Sequence, residues 1–352
     1  MSSRLGFDEL EKNVVSKGAC IGCSACVASC PFKGVLDYAE GKPRLIGECK
    51  ICGICSRVCP RYKVETGELD EMLFGRRRGA DEVSGIYRSV QVARATEPQV
   101  RQRGQDGGVA SAIILNALDT GAIEGAVLTG IDPNQPWRPL STFAKTREEV
   151  LACAGTKYCY SPIFQGLKRA LDQGLKRVAL VGTPCQILAM RRMQKANLRK
   201  LVDPIVLSLG LFCSESFSYQ GLMVEKIQNG LGVDLRTVAK MNIKGRMQVS
   251  LKNGKTLEIP LKEARAYAQS SCKFCEDFSS EFADISLGGV GLAGWTFTAA
   301  RTERGQNFHD TAIKDGDLEV KPAKEFQSAL DLLVRLSVSK RRNAQRILWQ
   351  DV

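Results

Sequence analysis

The segments CIGCSACVASCP (Cys20–Pro31) and CKICGICSRVCP (Cys49–Pro60) repeat one cysteine pattern, with every position shifted by 29 residues. The pattern is C-x2-C-x2-C-x3-C-P, which is typical of bacterial ferredoxins with two [4Fe–4S] clusters. In such proteins three closely spaced cysteines bind one cube, and the fourth cysteine reaches the other cube. The sequence therefore predicts one cluster held by Cys20, Cys23, Cys26 and Cys59, and another held by Cys49, Cys52, Cys55 and Cys30.

Glycine and proline have fixed places in both segments. Gly22 and Gly53 give the tight loops backbone freedom, and Pro31 and Pro60 fix the chain as it leaves each loop. Two zinc knuckles are the alternative, but they need neither the third regular spacing nor the proline. We therefore predict a bacterial-type α+β diferredoxin domain over residues 1–78. Its exit linker is Gly75–Gly79, and we interpret the arginines there as a solvated hinge rather than a docking patch.

The composition of the whole chain favours redox chemistry. The 352 residues include 14 cysteines and a single histidine, His309, which nearly excludes His-rich metal sites and a serine triad. Because His309 lies in a polar stretch, we predict that it is a surface residue. The net charge of +12 invites a nucleic-acid interpretation. Three clusters at about −2 each, and a flavin dinucleotide, would offset most of that charge, so no nucleic-acid partner is predicted.

No apolar stretch reaches the length of a membrane span, since even Ile205–Phe212 is far too short. The segment Met1–Lys17 alternates charged and apolar residues and lacks the apolar core of a signal peptide. We therefore expect a cytoplasmic protein without an integral membrane span. Any membrane contact would be peripheral, at the cytoplasmic face through a partner complex.

From Tyr87 onward the chain alternates between strand and helix patterns. The predicted strands are Val90–Ala95, Gly125–Thr129, Val178–Gly182 and Ile205–Phe212; predicted helices cover Val109–Thr120 and begin at Thr146, Ser161-Pro162 and Thr183-Pro184. Asn253-Gly254 predicts a hairpin with a type I′ turn. This pattern indicates an α/β domain with a mixed sheet over residues 79–312. A helical segment follows over 313–352, in which Leu330–Trp349 is interpreted as a helix on the large domain, with a docking helix as the alternative.

Six cysteines lie outside the repeats: Cys153, Cys159, Cys185, Cys213, Cys272 and Cys275. Cys185 and Cys213 each follow a predicted strand, and Cys272 and Cys275 form C-x2-C, so the strand ends could bring these four thiols together as a third metal site. The alternative is that Cys185, in the first turn of a helix, is a reactive nucleophile with a lowered pKa. Cys153 and Cys159 have no partner at metal-ligand spacing and are predicted to be buried apolar residues.

A GxGxxG string spans Gly289–Gly294 and follows the predicted strand Ala283–Leu287. A Rossmann dinucleotide site needs a helix directly after such a string, whereas Trp295–Ala300 predicts a strand. We therefore exclude a Rossmann nicotinamide site. Glycines at these positions still suit close approach of the backbone to a ligand such as a diphosphate.

The large domain resembles the family of β subunits of coenzyme F420 hydrogenases and dehydrogenases, in the F420H2 dehydrogenase form that carries an N-terminal diferredoxin. The resembling stretches are GQDGGVASA (Gly104–Ala112), AGTKY (Ala154–Tyr158), GTPCQ (Gly182–Gln186), GLFCSESF (Gly210–Phe217), KMNIKGR (Lys240–Arg246), CKFCEDFSSEFADISLGGVG (Cys272–Gly291) and GW…ART (Gly294–Thr302). They occur in the order found in the family and cover nearly all of Tyr87–Thr302. Where the family often has Ala or Thr, this chain has Cys153 and Cys159, whose role stays open.

The resemblance implies FAD, coenzyme F420 as substrate, and a third [4Fe–4S] cluster bound by Cys185, Cys213, Cys272 and Cys275. The implied flavin-site residues are Gln105, Asp106, Gly107, Gly108, Gly155, Thr156, Lys157, Tyr158, Asp284, Gly288, Gly289, Gly291, Gly294 and Trp295, and Lys157 is assigned as catalytic. The polyanionic F420 would suit cations such as Lys157, Lys168, Arg169, Arg191 and Arg192.

The implied function is an oxidoreductase that exchanges a hydride between F420 and FAD. Single electrons would then pass through the clusters to or from a partner protein or complex subunit. A reduced deazaflavin releases its electrons as a hydride and a cluster accepts one electron, so a flavin must stand between them. Two alternatives stay open: a ferredoxin-dependent reductase of an organic ring substrate on the same scaffold, and a non-enzymatic electron-transfer adaptor.

Overall fold

The computed structural model describes residues 5–348, and side chains up to residue 347. Its N-terminal region contains α1 (Phe7–Leu10, continued by the π-helical turn Glu11–Val15), α2 (Ala25–Ala28), β1 (Leu36–Ala39), β2 (Lys42–Leu45), α3 (Ile54–Val58) and α4 (Thr66–Phe74). Strands β1 and β2 pair antiparallel. Helices α2 and α3 begin at corresponding positions of the two cysteine repeats, so the repeated sequence is also a repeated local structure.

Each cysteine loop holds two residues in the left-handed backbone region. They are Gly22 (φ 62°) and Ser24 (φ 65°) in the first loop, and Ile51 (φ 50°) and Gly53 (φ 73°) in the second. These pairs correspond under the shift of 29 residues, so both loops share one conformation although glycine supplies only one position in each. A left-handed backbone is costly for a β-branched residue such as Ile51, so the surrounding loop must enforce it.

The rest of the chain is α/β. The strands are β3 (Ser89–Ala95), β4 (Gly125–Ile131), β5 (Pro139–Ala144), β6 (Val178–Gly182), β7 (Ile205–Leu211), β8 (Val238–Ile243), β9 (Arg246–Leu251), β10 (Thr256–Pro260), β11 (Ile285–Gly288), β12 (Thr296–Ala300) and β13 (Leu318–Pro322). One mixed sheet has the order β13-β3-β12-β11-β7-β6-β4-β5, with β4, β6, β7 and β11 parallel. The predicted α/β class with a mixed sheet is therefore confirmed.

Most of the remaining helices flank this sheet. The complete set is α5 (Pro98–Arg103), α6 (Val109–Asp119), α7 (Arg147–Ala152), α8 (Ile163–Asp172), α9 (Pro184–Lys195), α10 (Arg199–Val202), α11 (Leu261–Arg265), α12 (Glu303–Lys314) and α13 (Gln327–Leu348), with a π-helical segment at Tyr219–Gly230 and 3-10 turns at Leu235–Thr237, Ser270–Phe274 and Ala323–Glu325. Helix α11 packs instead on β9 and β10. Thr146 forms the predicted capping box with Glu149, and Thr183 precedes α9 as predicted. These helix starts are confirmed because their signals are local.

Strands β8, β9 and β10 form a separate antiparallel sheet. The predicted hairpin at Asn253-Gly254 is present, but the type I′ turn is wrong. Only Gly254 (φ 84°) has a left-handed backbone, and Leu251 pairs across the loop with Lys255 through a 2.8 Å hydrogen bond. The loop therefore has three residues and ends on a left-handed glycine, which matches a type I turn with a bulge.

The N-terminal region shares a hydrophobic core with the large sheet. Ile21, Val58 and Leu69 belong to the same buried cluster as Phe164 of α8 and Leu188 of α9. The N-terminal region is therefore packed against the large domain over a continuous apolar contact.

The interpretation of the arginine run as a solvated hinge is wrong for Arg78. Its guanidinium binds both oxygens of Asp70 at 2.7 Å, pairs with Glu281 and lies 5.3 Å from the ring centre of Phe282. The side chain is 18% exposed, because Glu281 from the large domain covers it. Arg77, by contrast, pairs with Glu71 in solvent.

The C-terminal helix α13 packs on the large domain, as interpreted from the sequence, although Trp349 lies outside the described residues. Ala329, Leu333, Ser337 and Ala344 are buried along one face. Within residues 5–348, no helix is both long and apolar enough to cross a membrane.

The prediction that His309 is a surface residue is wrong. It lies on the buried face of α12 with Gly305 and Ala312, and 1% of it is exposed. Among the described residues, neither ring nitrogen has a hydrogen-bond partner. Burial lowers the pKa of His309, and this effect exceeds the opposing one of Asp310. His309 is buried because it lies on the same face of α12 as Gly305 and Ala312, although its neighbours in sequence are polar.

We expect His309→Leu to stabilise the protein at neutral pH by about 1 kcal/mol, because a buried polar group without a partner is costly. It should also reduce acid sensitivity. With a lowered folded pKa, the unfolded state binds the proton first, so wild-type stability falls as pH drops below about 6.5. Anaerobic thermal unfolding across this pH range measures the effect. An equal loss of stability with acid in both proteins would contradict it.

Candidate functional site

The structure brings the eight N-terminal cysteines together in the two predicted groups. Burial raises the pKa of Cys23, and the nearby Cys20 and Cys59 raise it further. In the other group, Cys30 has a pKa raised by burial and then by Cys52 and Cys49. The crossed arrangement, in which the fourth cysteine of each motif joins the other group, is thus present in the positions of the thiols.

Cys185, Cys213, Cys272 and Cys275 form a third group beneath the carboxyl ends of β6 and β7. Burial raises the pKa of Cys213 to about 12, with added effects from Cys272, Cys185 and Cys275. Cys185 stands in the first turn of α9, as predicted, but burial raises its pKa to about 11. A raised pKa disfavours the free thiolate that the alternative of a reactive nucleophile requires.

Hydrogen-bonding groups lie beside the sulfurs of this third group. Cys272 Sγ accepts from the backbone N–H of Ser216 at 3.2 Å and lies 3.2 Å from the Tyr160 hydroxyl. The Thr183 hydroxyl lies 3.3 Å from Cys185 Sγ. Hydrogen bonds of this kind stabilise iron-bound thiolates, so the donor set fits a [4Fe–4S] cluster.

Within residues 5–347, no three His, Cys, Asp or Glu side chains are placed around a single metal ion. A [4Fe–4S] cube needs a different arrangement, because each of its ligands binds a different iron atom. Four ligand sulfurs therefore surround a cube instead of converging on one point.

The three groups form a series. Cys185 of the third group is near enough to Cys23 to raise its pKa, although burial has the largest effect. Cys26, in the same group as Cys23, is likewise affected by Cys55 of the remaining group. The third group thus lies next to the Cys23 group, which in turn lies next to the Cys55 group.

Two of the predicted flavin loops meet at Gln105. The side-chain oxygen of Gln105 accepts a 3.4 Å hydrogen bond from the backbone N–H of Thr156. Its amide nitrogen is buried and has no partner among the described residues. A buried donor without a partner is costly, so this amide fits a ligand with a hydrogen-bond acceptor, such as a flavin ring.

The third predicted segment, Asp284–Gly294, lies against the first at Gly289. The backbone N–H of Gly107 donates to the Thr296 hydroxyl at 3.1 Å, and a Cβ at Gly289 would clash with the Asp106 carboxylate. Gly108 (φ 73°) begins α6, and a Cβ there would lie 2.8 Å from the Val100 carbonyl oxygen. The glycine at position 108 is thus required by the packing of α5, whatever ligand binds nearby.

The other members of these loops are placed as follows. Gly288 packs against the ring of Phe212, Gly291 (φ 80°) and Gly294 (φ 72°) have left-handed backbones, and Gly155 (φ 81°) turns the chain before Thr156. Trp295 is stacked under two cations, with Arg94 4.3 Å and Lys321 4.7 Å from its ring centre. No helix follows the GxGxxG string, since β12 begins at Thr296.

Lys157, the assigned catalytic residue, points its ammonium at its own loop. The nitrogen donates to the carbonyl oxygens of Cys153, Ala154 and Gly155 at 2.5, 3.0 and 3.1 Å. Burial lowers the pKa of Lys157 to about 8. In this arrangement Lys157 fixes the turn that presents Thr156 and Tyr158.

Asp284 is completely engaged inside the protein. It pairs with Arg191 at 3.0 Å and Arg304 at 3.3 Å, and accepts hydrogen bonds from Ser208 and Thr302. Burial by itself would raise the pKa of Asp284. The charges of Arg191 and Arg304 and the hydrogen bonds of Ser208 and Thr302 outweigh burial and lower the pKa. Asp284 therefore holds β7, α9 and α12 together behind the flavin loops.

Most of the cations expected to attract F420 have internal partners. Arg191 is bound to Asp284, Arg192 donates to the carbonyls of Ser56, Arg57 and Lys63, and Arg169 donates to the Ser141 carbonyl. Lys168 pairs with Asp172 in solvent. The sequence left open which of these cations contact F420, and the structure shows that long-range packing uses the guanidinium groups of Arg191 and Arg192.

Two further cations beside the flavin loops come from the β8–β9 hairpin. Burial raises the pKa of Asp106, and Lys244 and Lys240 oppose that effect, so both lysines are its neighbours. The Lys240 ammonium donates to the Gly104 carbonyl at 2.7 Å, whereas Lys244 is exposed. The KMNIKGR stretch is one of those that resemble the family, but nothing in the sequence indicates that Lys240 and Lys244 lie beside Asp106.

The two remaining cysteines lie apart from the three groups. Cys159 is buried beside Phe217 and Leu222, as predicted. Cys153 is partly buried, next to the ammonium of Lys157.

Comparison with known proteins gives matches over most of the chain. The model for the N-terminal part of the coenzyme F420 hydrogenase/dehydrogenase beta subunit matches residues 90–168, and the model for its C-terminal part matches 175–325. The chain is 37% identical over 269 residues to coenzyme F420 hydrogenase subunit beta of Methanothermobacter thermautotrophicus, which covers 75% of this chain and 95% of that protein. The chain belongs to this family.

Other members of this family of coenzyme F420 hydrogenase/dehydrogenase beta subunits match more of the chain. An F(420)H(2) dehydrogenase subunit of Methanosarcina mazei is 31% identical over 347 residues, covering 94% of this chain and 91% of that protein. The coenzyme F420-dependent sulfite reductase of Methanocaldococcus jannaschii is 32% identical over 86% of this chain, which spans 47% of that protein. A chain of the F420-reducing [NiFe] hydrogenase complex from Methanosarcina barkeri superposes with a TM-score of 0.73, at 35% identity over 78% of this chain and 95% of that one.

Proposed function

We propose that this chain is an F420-linked oxidoreductase subunit. It exchanges a hydride between coenzyme F420 and FAD and passes single electrons through three [4Fe–4S] clusters to or from a partner protein. Family membership supports the link to F420. The observation that carries the proposal is the series of three thiol groups that begins beside the Gln105, Thr156 and Gly289 loops.

The flavin loops and the third thiol group share neighbouring residues. Cys213 directly follows Phe212, whose ring packs against Gly288. Burial raises the pKa of Tyr158, and the nearby Asp106 and Cys213 raise it further. A flavin accepts a hydride and releases single electrons, so its place beside this group supports the proposed sequence of carriers.

The proposed residue roles follow from these contacts. Gln105 donates its free amide hydrogen to the flavin, and the Gly155–Tyr158 turn, fixed by Lys157, forms the facing wall. The twelve cysteines of the three groups bind the clusters. Residues 1–78 carry the two outer clusters, residues 79–312 carry FAD and the third cluster, and the segment 313–352 covers the third cluster through α13.

Anaerobic reduction of a viologen dye by F420H2 tests the proposal. We expect F420H2 to bleach the flavin first and then to reduce the dye continuously. A flavin that stays oxidised in the presence of F420H2 would contradict the proposal. It would favour a reductase that acts on another substrate, and a protein without bound flavin would favour an electron-transfer adaptor.

Lys244 is the residue that we expect to contact the anionic part of F420, because it is exposed and lies beside Asp106. A charge-assisted hydrogen bond contributes about 1.5–3 kcal/mol, so Lys244→Gln should raise the KM for F420 about tenfold or more with the flavin content unchanged. Lys252→Gln, at the opposite end of the same small sheet, is the matched control. An unchanged KM in Lys244→Gln would place F420 elsewhere.

A further inference from the structure

We propose that Tyr160 and Lys340 raise the reduction potential of the cluster assigned to Cys185, Cys213, Cys272 and Cys275. The inference rests on the third cluster of the proposed function and names the residues that set its potential. Neither residue carries a sequence signal that marks it as part of a site.

Tyr160 reaches the third group from the loop before α8. Its hydroxyl lies 2.6 Å from Ser271 Oγ and 3.2 Å from Cys272 Sγ. A thiolate has no hydrogen to give, so Tyr160 donates when Cys272 binds iron. The same sulfur accepts from the Ser216 backbone N–H at 3.2 Å. Hydrogen bonds to cluster sulfurs favour the more negative, reduced state and therefore raise the potential.

Lys340 reaches the group from α13. Its ammonium donates to the carbonyl oxygen of Cys213, and to that of Ser214 at 2.9 Å. These two bonds hold one positive charge against the loop that carries a ligand. A fixed positive charge favours uptake of an electron by the nearby cluster. Lys340 lies beyond residues 175–325, which the family model for the C-terminal part matches.

The two residues therefore act on the carrier that stands nearest to the flavin loops. A higher potential at this position makes the third cluster a better acceptor of each electron that leaves the flavin. Tyr160 acts through Cys272, and Lys340 acts through its charge near Cys213, so both are positioning residues and neither contacts substrate.

The test is a redox titration of the full-length protein, with mediators, monitored by electron paramagnetic resonance. We expect Tyr160→Phe and Lys340→Gln each to lower the midpoint of one cluster. The expected change is up to about tenfold in the one-electron equilibrium constant, which corresponds to about 59 mV. Iron and flavin content should equal those of the wild type.

Two control variants separate a charge effect from a structural one. Lys340→Arg keeps the charge and should keep the midpoint. Arg335→Gln removes the same charge from an exposed position of α13 and should leave all three midpoints unchanged.

Wild-type midpoints in Tyr160→Phe and Lys340→Gln, with full iron, would overturn the inference and leave the third cluster intact. If one of these two variants loses iron, the other variant still tests its own residue. A wild-type midpoint in that second variant would overturn the role of the residue that it replaces. Iron for only two cubes in the wild type is a different result, because it would overturn the proposed third cluster itself and the inference with it.

Discussion

Cys272→Ser is expected to remove about one third of the bound iron, since one of three proposed cubes would lose a ligand. Cys272 lies in the group of Cys185, Cys213 and Cys275 and accepts a hydrogen bond from Ser216. We expect F420H2 still to bleach the flavin, while dye reduction slows by orders of magnitude because the nearest acceptor is missing. Iron and sulfide analysis, together with stopped-flow absorbance, measures both effects.

The matched control for this variant is Cys159→Ser. Cys159 is buried, and it packs with Phe217 and Leu222 away from the three thiol groups. Its replacement should leave the iron content unchanged. Full iron content in Cys272→Ser would exclude Cys272 as a ligand, and loss of iron in both variants would indicate general damage to the fold.

Arg78→Met is expected to lower the free energy of unfolding by about 3 kcal/mol, because it leaves the buried carboxylate of Asp70 without its partner and removes one of the two partners of Glu281. The side chain of Asp70 is 1% exposed and that of Glu281 is 4% exposed. Glu281 keeps a second partner, Arg341, which limits the loss. Anaerobic denaturant unfolding gives the free energy directly.

Arg77→Met is the control for Arg78→Met. It removes the same charge from the neighbouring position, but its pair with Glu71 is exposed, and such pairs contribute about 0–1 kcal/mol. Equal effects from the two substitutions would show that Arg78 does not join the N-terminal region to the large domain.

The hydrophobic core that the N-terminal region shares with the large domain affects how the path of electrons to the partner protein can be tested. We predict from the cysteine repeats that the outer clusters are the path to the partner protein. Deleting Met1–Arg78 would expose Phe164 and Leu188, which pack against Ile21, Val58 and Leu69. Substitution of cluster ligands in the full chain therefore isolates the electron path better than truncation does.

The sequence by itself determined the features that depend on near neighbours. The cysteine spacing fixes which thiols can meet on one short loop, and the Thr146 and Thr183 signals start their helices at the predicted positions. Strand and helix periodicity was sufficient for the α/β class with a mixed sheet. Glycine marked only half of the left-handed positions, because the loop also forces Ser24 and Ile51 into that conformation.

The tertiary structure alone decided how residues far apart in the chain are used. His309 is buried because of the helix face it occupies, and Arg191 is drawn inward by Asp284, 93 positions away. Tyr160 and Lys340 reach the third thiol group from segments 180 residues apart. A local pattern reports on backbone preference and periodicity, whereas the partner of a buried charge is set by which elements the folded sheet brings together.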